Sequence, residues 1–165
     1  VRSDLSGRNT VSFNTNVGNP TLLCAFGSNS IVRETDMEPD TILLADDEAL
    51  LLIDYEYALA DAGFVVVAVT SGGKAIEVLK SAGSGIAGVV TDIRFHQLPD
   101  GWSVARVARE IDPDMPIVYV SGHGALEWAS RGVDNSIMLE KPFPVDKLAT
   151  VVCQMLRDRP PRTQA

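Results

Sequence analysis

A chain of 165 residues with a formal net charge of −8 has room for one ordinary domain. Its acidity argues against direct contact with nucleic-acid phosphates, which Lys and Arg must neutralise. Apolar residues make up 45 % and charged residues 22 %, a globular balance, and no apolar stretch reaches the ~18–20 residues that cross a bilayer. Cys24 and Cys153 are the only cysteines and offer neither metal-type spacing nor a disulfide framework. A reduced, cytoplasmic protein with no membrane partner is expected.

Residues 1–36 are rich in Ser, Asn, Thr and Gly, and neither the helical nor the strand period holds in them for long. Three basic residues there (Arg2, Arg8, Arg33) balance three acids (Asp4, Glu34, Asp36), so the whole −8 falls on residues 37–165. An N-terminal extension over residues 1–39 is therefore expected, either disordered or a vector remnant or mis-called start, with Met37 standing shortly before the first strand. A short strand around "TLLCAF" is the alternative.

From residue 41 the pattern is regular. "TILLAD" (41–46) is an apolar strand ending in acids, and "EALLLIDYEYALADAG" (48–63) is a helix closing on Gly63, a usual terminator. "FVVVAVT" (64–70) is a β-branched run. In 72–82, Ala75, Val78, Leu79 and Ala82 fall at i, i+3, i+4 and i+7, one face of a helix. "IAGVVTD" (86–92) is the third strand, and Val104, Val107, Ala108 and Ile111 repeat the helical spacing. "PIVYVS" (116–121) is the fourth strand, "GALEWASRG" (124–132) offers little more than two helical turns, and "SIMLE" (136–140) is a short fifth strand. Residues 143–157 form a last helix with Val145, Leu148 and Val152 inward, and 158–165 read as a flexible tail. Five strands alternating with helices imply right-handed crossovers, and unbroken apolar strands imply a parallel sheet covered on both faces. The fold class is α/β, doubly wound, over 40–157.

Ligands of open α/β sheets bind outside the carboxyl ends of the strands. Strand one ends there in Asp46 and Asp47, strand three in Asp92, strand four in Ser121, and strand five leads into Lys141-Pro142. Two carboxylates about 4 Å apart repel by roughly 4 kcal/mol at an effective dielectric near 20, so three must share protons or recruit a cation. A hard oxygen donor set suits Mg²⁺. A cation, a lysine and a hydroxyl around one carboxylate could stabilise an incoming phosphoryl group, with Asp92 as nucleophile forming an acyl phosphate. Each piece alone has an ordinary reading: an acid pair in solvent, a turn aspartate or N-cap, a loop entry at Ser121-Gly122, a Lys-Pro turn. Their joint occurrence, in this order and at the same ends of the strands, is the signal.

These residues resemble the receiver domain of bacterial two-component response regulators over roughly residues 40–156. "LLADDE" resembles its acidic pair, "VVTDI" its phospho-acceptor strand, "YVSGH" its Ser/Thr strand, and "LEKPF" its Lys-Pro signature. The resemblance implies a flavodoxin-like five-stranded sheet of order 2-1-3-4-5. It implies that Asp92 is phosphorylated from a histidine kinase or histidine phosphotransfer protein. Asp47 and Asp92 would ligate Mg²⁺ by side chain, Arg94 by its backbone carbonyl and Asp46 mostly through water. Ser121 and Lys141 would meet the phosphoryl group, Gly122 would leave it room, and the Lys141–Pro142 peptide would be cis. Such a chain is a signalling switch, not an enzyme beyond assisting its own phosphorylation and dephosphorylation. Its output would run through contacts with an unknown protein target, as a monomer or weak dimer without direct DNA binding.

Departures from the family pattern are also visible. Nine steps separate Asp92 from Gly101, one more than the usual loop, as in some small receiver-only regulators. Met138 stands where the family has an aromatic switch, and Trp128 or Met138 could substitute, unless they are simply an exposed Trp and a core Met. Arg94 and His123 occupy positions that in the family influence acyl-phosphate hydrolysis, although His123 could equally be a solvent-facing residue without a role. Two alternatives stay open: the receiver piece of a hybrid histidine kinase, and a phosphatase or hydrolase with an aspartyl nucleophile. The latter wants a second acid two residues past the nucleophile, where Arg94 stands. "TSGGKA" is neither a P-loop nor a dinucleotide fingerprint.

Overall fold

The computed structural model describes residues 38–82, 85–123 and 125–160. Residues 1–37 of the expected 1–39 extension, with the "TLLCAF" segment and Cys24, and residues 161–165 of the expected 158–165 tail lie outside them. Ten elements alternate: β1 (Thr41–Ala45), α1 (Ala49–Asp61), β2 (Val65–Val69), α2 (Gly72–Ala82), β3 (Ile86–Asp92), α3 (Gly101–Ile111), β4 (Ile117–Ser121), α4 (Ala125–Arg131), β5 (Ile137–Glu140) and α5 (Val145–Asp158). The strands form one parallel sheet of order β2-β1-β3-β4-β5, the doubly wound arrangement expected.

Because side chains alternate across a strand, the apolar runs feed two cores. Leu43, Val89, Ile117 and Tyr119 face α2 and α3, meeting Leu79, Trp102 and Ala108. Ile42, Leu44, Val90 and Val118 face α1 and α5, meeting Tyr55, Leu59, Leu148 and Val152. Central β3 is buried along its whole length, which is why it reads as a continuous apolar run. Each fully buried Val, Leu or Ile contributes roughly 1.5–3 kcal/mol relative to exposure, so β3 anchors rigidly whatever stands at its tip.

Local signals explain the element ends. Gly63 follows α1 with φ +96°, a conformation costly for residues with a Cβ. At the start of α3, Asp100 accepts hydrogen bonds from the Ser103 N–H at 3.0 Å and its Oγ at 2.7 Å, an N-cap of the usual kind. The helical spacing of α3 needs one correction. Ile111 is 38 % exposed at the helix end, whereas Trp102 in the first turn is buried against Tyr119, ring centroids 4.7 Å apart. The first turn starts beneath the sheet edge, so its large residue becomes the anchor. Cys153 on α5 takes part in a disulfide, contrary to the expectation of a reduced chain.

Candidate functional site

Parallel pairing levels the carboxyl ends of the strands: Ala45 is opposite Thr91, Asp92 opposite Val120, and Ser121 opposite Glu140. The backbone then carries Lys141 back onto β4, its N–H donating to the Ser121 carbonyl at 2.9 Å. From there the Lys141 ammonium donates to Asp46 Oδ2 at 2.9 Å, Glu48 Oε1 at 3.0 Å and Asp92 Oδ2 at 3.2 Å. Asp46 and Asp92 are both buried. Their second oxygens accept from backbone: Asp46 Oδ1 from the Glu48 N–H at 2.8 Å, Asp92 Oδ1 from the Arg94 N–H at 3.1 Å. Asp47 Oδ2 accepts the His96 N–H at 2.8 Å and also meets the His96 ring nitrogen Nδ1.

Electrostatics follow from that burial. Desolvation raises the Asp46 carboxyl above its ordinary 3.8, prevailing over the hydrogen bond and charge of Lys141, and the neighbouring Asp92 charge pushes the same way. Burial alone would lower Lys141, but hydrogen bonds to Asp46 and Glu48 and the charges of Asp92 and Asp46 outweigh it and raise the ammonium. Lys141 is therefore a fixed positive charge. Asp46, Asp47 and Asp92 each offer a carboxylate oxygen, all within 4.8 Å of one another. Three hard oxygens around one point fit a small divalent cation such as Mg²⁺.

Ser121 is buried, and its Oγ accepts the His123 N–H at 3.3 Å. Gly122 faces open space, since a Cβ there would meet nothing within 4 Å, and the His123 side chain is exposed. The Lys141–Pro142 peptide is cis. Arg94 turns its guanidinium away from the acids, to Glu127 Oε1 on α4 at 2.9 Å. Met138 is half-buried, opposite Tyr119 and packed against the α2/α3 core. Trp128 is not the exposed residue allowed for above. It packs against the same core, and its Nε1 donates to Ser136 Oγ at 3.0 Å; an indole on a short helix reaches the core and a partner at once.

Several participants escaped the sequence reading. Glu48 joins Lys141 although its only signal is adjacency to the acid pair. His96 belongs to the lengthened loop, and its contact with Asp47 depends on how that loop closes. Phe95 of the loop packs on the core, Leu98–Pro99 is a second cis peptide, and the Pro99 carbonyl lies where a Cβ on Gly72 would stand. Gly101 has no room for a Cβ either, because the Asp92 carbonyl oxygen and Ile93 Cα occupy that place. The loop is thus clamped at both ends of its course.

Residues 42–153 match the family model for the response regulator receiver domain. A response regulator receiver protein from Sinorhizobium medicae WSM419 is 69 % identical, with a TM-score of 0.72, covering 74 % of this chain and 98 % of that one. The response regulator receiver protein CpdR of Brucella abortus (strain 2308) is 33 % identical over 117 residues, 70 % of this chain and 95 % of CpdR. The sensor kinase CckA of the same organism is 30 % identical over 129 residues, 76 % of this chain but only 14 % of the kinase. No helix among the described residues is long and apolar enough to cross a membrane.

Proposed function

The chain belongs to the response regulator receiver family, and from that premise we propose that it is a phosphorylation-dependent signalling switch whose acceptor is Asp92. The observation that carries this reading is Asp92 itself: a buried carboxylate at the tip of the central strand, held by Lys141 at 3.2 Å and beside Asp46 and Asp47. One carboxylate oxygen attacks the phosphorus of a phosphohistidine on a histidine kinase or histidine phosphotransfer protein. The P–N bond breaks, its electron pair leaves with the imidazole, which takes up a proton, and an acyl phosphate remains on Asp92.

The chain's own residues supply what that step needs. The Lys141 ammonium meets the charge growing on the phosphoryl oxygens, the Ser121 hydroxyl donates to them, and Gly122 leaves the space they enter. Asp47 and Asp92 by side chain, the Arg94 backbone carbonyl, and Asp46 through water would hold Mg²⁺. When bound, the ion neutralises phosphoryl charge. Arg94 and His123 stand at positions that in the family influence how quickly the acyl phosphate hydrolyses, and a His123 without a role remains the other reading. Met138 is half-buried against the α2/α3 core, so any coupling runs without an aromatic at that position. Output runs through protein contacts in the cytoplasm, the chain acting as a monomer or weak dimer.

Acetyl phosphate or beryllofluoride with Mg²⁺, read by intact mass and NMR, tests the reading. Wild type should gain the phosphoryl mass or fluoride-dependent shifts, and Asp92→Asn should not. Uptake by both, or by neither, would remove Asp92 from the role. The similarity to CckA favours one second reading, that this receiver works inside a longer hybrid kinase, and the length of the native gene decides it. An aspartyl-nucleophile phosphatase is disfavoured because Arg94, where its second acid would stand, is turned to Glu127.

A further inference from the structure

Arg94 faces two ways. Its N–H donates to Asp92 Oδ1 at 3.1 Å, while its guanidinium, on a side chain 64 % exposed, holds Glu127 of α4 at 2.9 Å. The other end of the same loop grips the same helix: Asp100 Oδ2 accepts from Arg131 at 3.0 Å. Arg131 also holds Glu127 Oε2 at 3.0 Å and lies over the Trp102 ring, 5.5 Å from its centroid. The helix so held has seven residues, and Leu126 on it is 94 % exposed. Its main apolar anchor among the described residues is Trp128, and the ion pairs join the rest of the helix to the acceptor loop.

A phosphoryl group on Asp92 would bring roughly −1.5 to −2 charges and several acceptor oxygens two residues from Arg94. A guanidinium binds phosphate oxygens in paired, charge-assisted hydrogen bonds. Its present partnership with an exposed carboxylate is weak and screened by solvent. Resting on the receiver reading, we propose that Arg94 is an electrostatic latch, clamping α4 through Glu127 while Asp92 is a free carboxylate and turning to the phosphoryl group once Asp92 carries it. The Arg131–Asp100 pair and the Trp128 anchor keep the released helix attached, so α4 loosens at its Glu127 side and does not detach. Phosphorylation then reaches α4 without an aromatic at position 138.

Coupling of this kind is reciprocal: what phosphorylation weakens must, when already broken, favour phosphorylation. Glu127→Gln removes the latch without touching the acid cluster, Ser121 or Lys141. Titrated with beryllofluoride at saturating Mg²⁺ and followed by ¹⁹F NMR, the full-length Glu127→Gln chain should bind about two- to fivefold more tightly than wild type, the span that an exposed pair allows. In hydrogen exchange, beryllofluoride should speed the α4 amides of wild type, whereas in Glu127→Gln they should already be fast and change little further. Equal or weaker affinity, or an undiminished increment in α4 exchange, overturns the latch alone. A wild-type chain that takes up no beryllofluoride overturns the receiver reading and the latch together. A merely structural role for Glu127 would loosen α4 but would not tighten binding at Asp92.

Discussion

Lys141 shows how much one side chain can balance. Three carboxylates, from Asp46, Glu48 and Asp92, share its ammonium, and two of them are buried. Replacing it in Lys141→Met strands those charges, and removal of one partner from a buried ionic group is strongly destabilising. Urea unfolding at neutral pH should show a loss of about 3–5 kcal/mol. The pH dependence has a definite sign. A raised lysine contributes stability that is complete below its ordinary 10.5 and is lost only as pH climbs through the raised value. Asp46, raised above 3.8, costs the folded state stability as pH climbs from there through its folded value. In Lys141→Met the Asp46 carboxyl loses its partner and takes up a proton at still higher pH. The deficit of the variant should therefore shrink on acidification toward the carboxylate range, and a deficit constant between pH 7 and 4.5 would contradict this account.

At the scale of elements, strands and long helices were legible because their periods are simple, while the β3–α3 loop was not. Burial on both faces makes β3 a continuous apolar run, and Gly63 announces the end of α1 through its backbone conformation. Acidic residues at strand ends were equally plain, because a charge after an apolar run is hard to miss. In the loop, by contrast, the decisive facts are close approaches: Gly101 under the Asp92 carbonyl, the Pro99 carbonyl over Gly72, and His96 against Asp47. Each joins positions whose separation carries no period. Trp102 was missed for a related reason, since its burial depends on where α3 begins beneath the sheet. The start of α3 offers a test. Burial pushes Asp100 upward, but hydrogen bonds from Ser103 and the Arg131 charge prevail and lower its pKa below 3.8. A lowered acid stabilises above its ordinary value and loses that contribution as pH falls through the folded one. Asp100→Ala should thus cost about 0.5–2 kcal/mol at neutral pH, and the gap to wild type should close in strong acid.

For the molecule as a whole, the site is the place where an acidic chain concentrates its repulsion. The two cores hold β1, β3, β4 and β5 in register, and that register forces Asp46, Asp47 and Asp92 to one edge whether or not a cation is present. Lys141 answers two of these acids, while Asp47 turns instead to His96. A divalent ion that binds the folded cluster and ignores the unfolded chain must shift the unfolding equilibrium by mass action, about 2.7 kcal/mol at a hundredfold excess over its dissociation constant. Mg²⁺ should accordingly raise the urea midpoint of the wild-type chain in a saturable way, and NaCl at matched ionic strength should raise it less, because screening does not supply ligation. Asp47→Asn removes the ligand that Lys141 does not hold, so its unfolding curve should respond to Mg²⁺ no more than to NaCl. An equal response in wild type and Asp47→Asn would mean that the three carboxylates do not act as one cation site, and that the convergence of strand ends neutralises its charge through Lys141 alone.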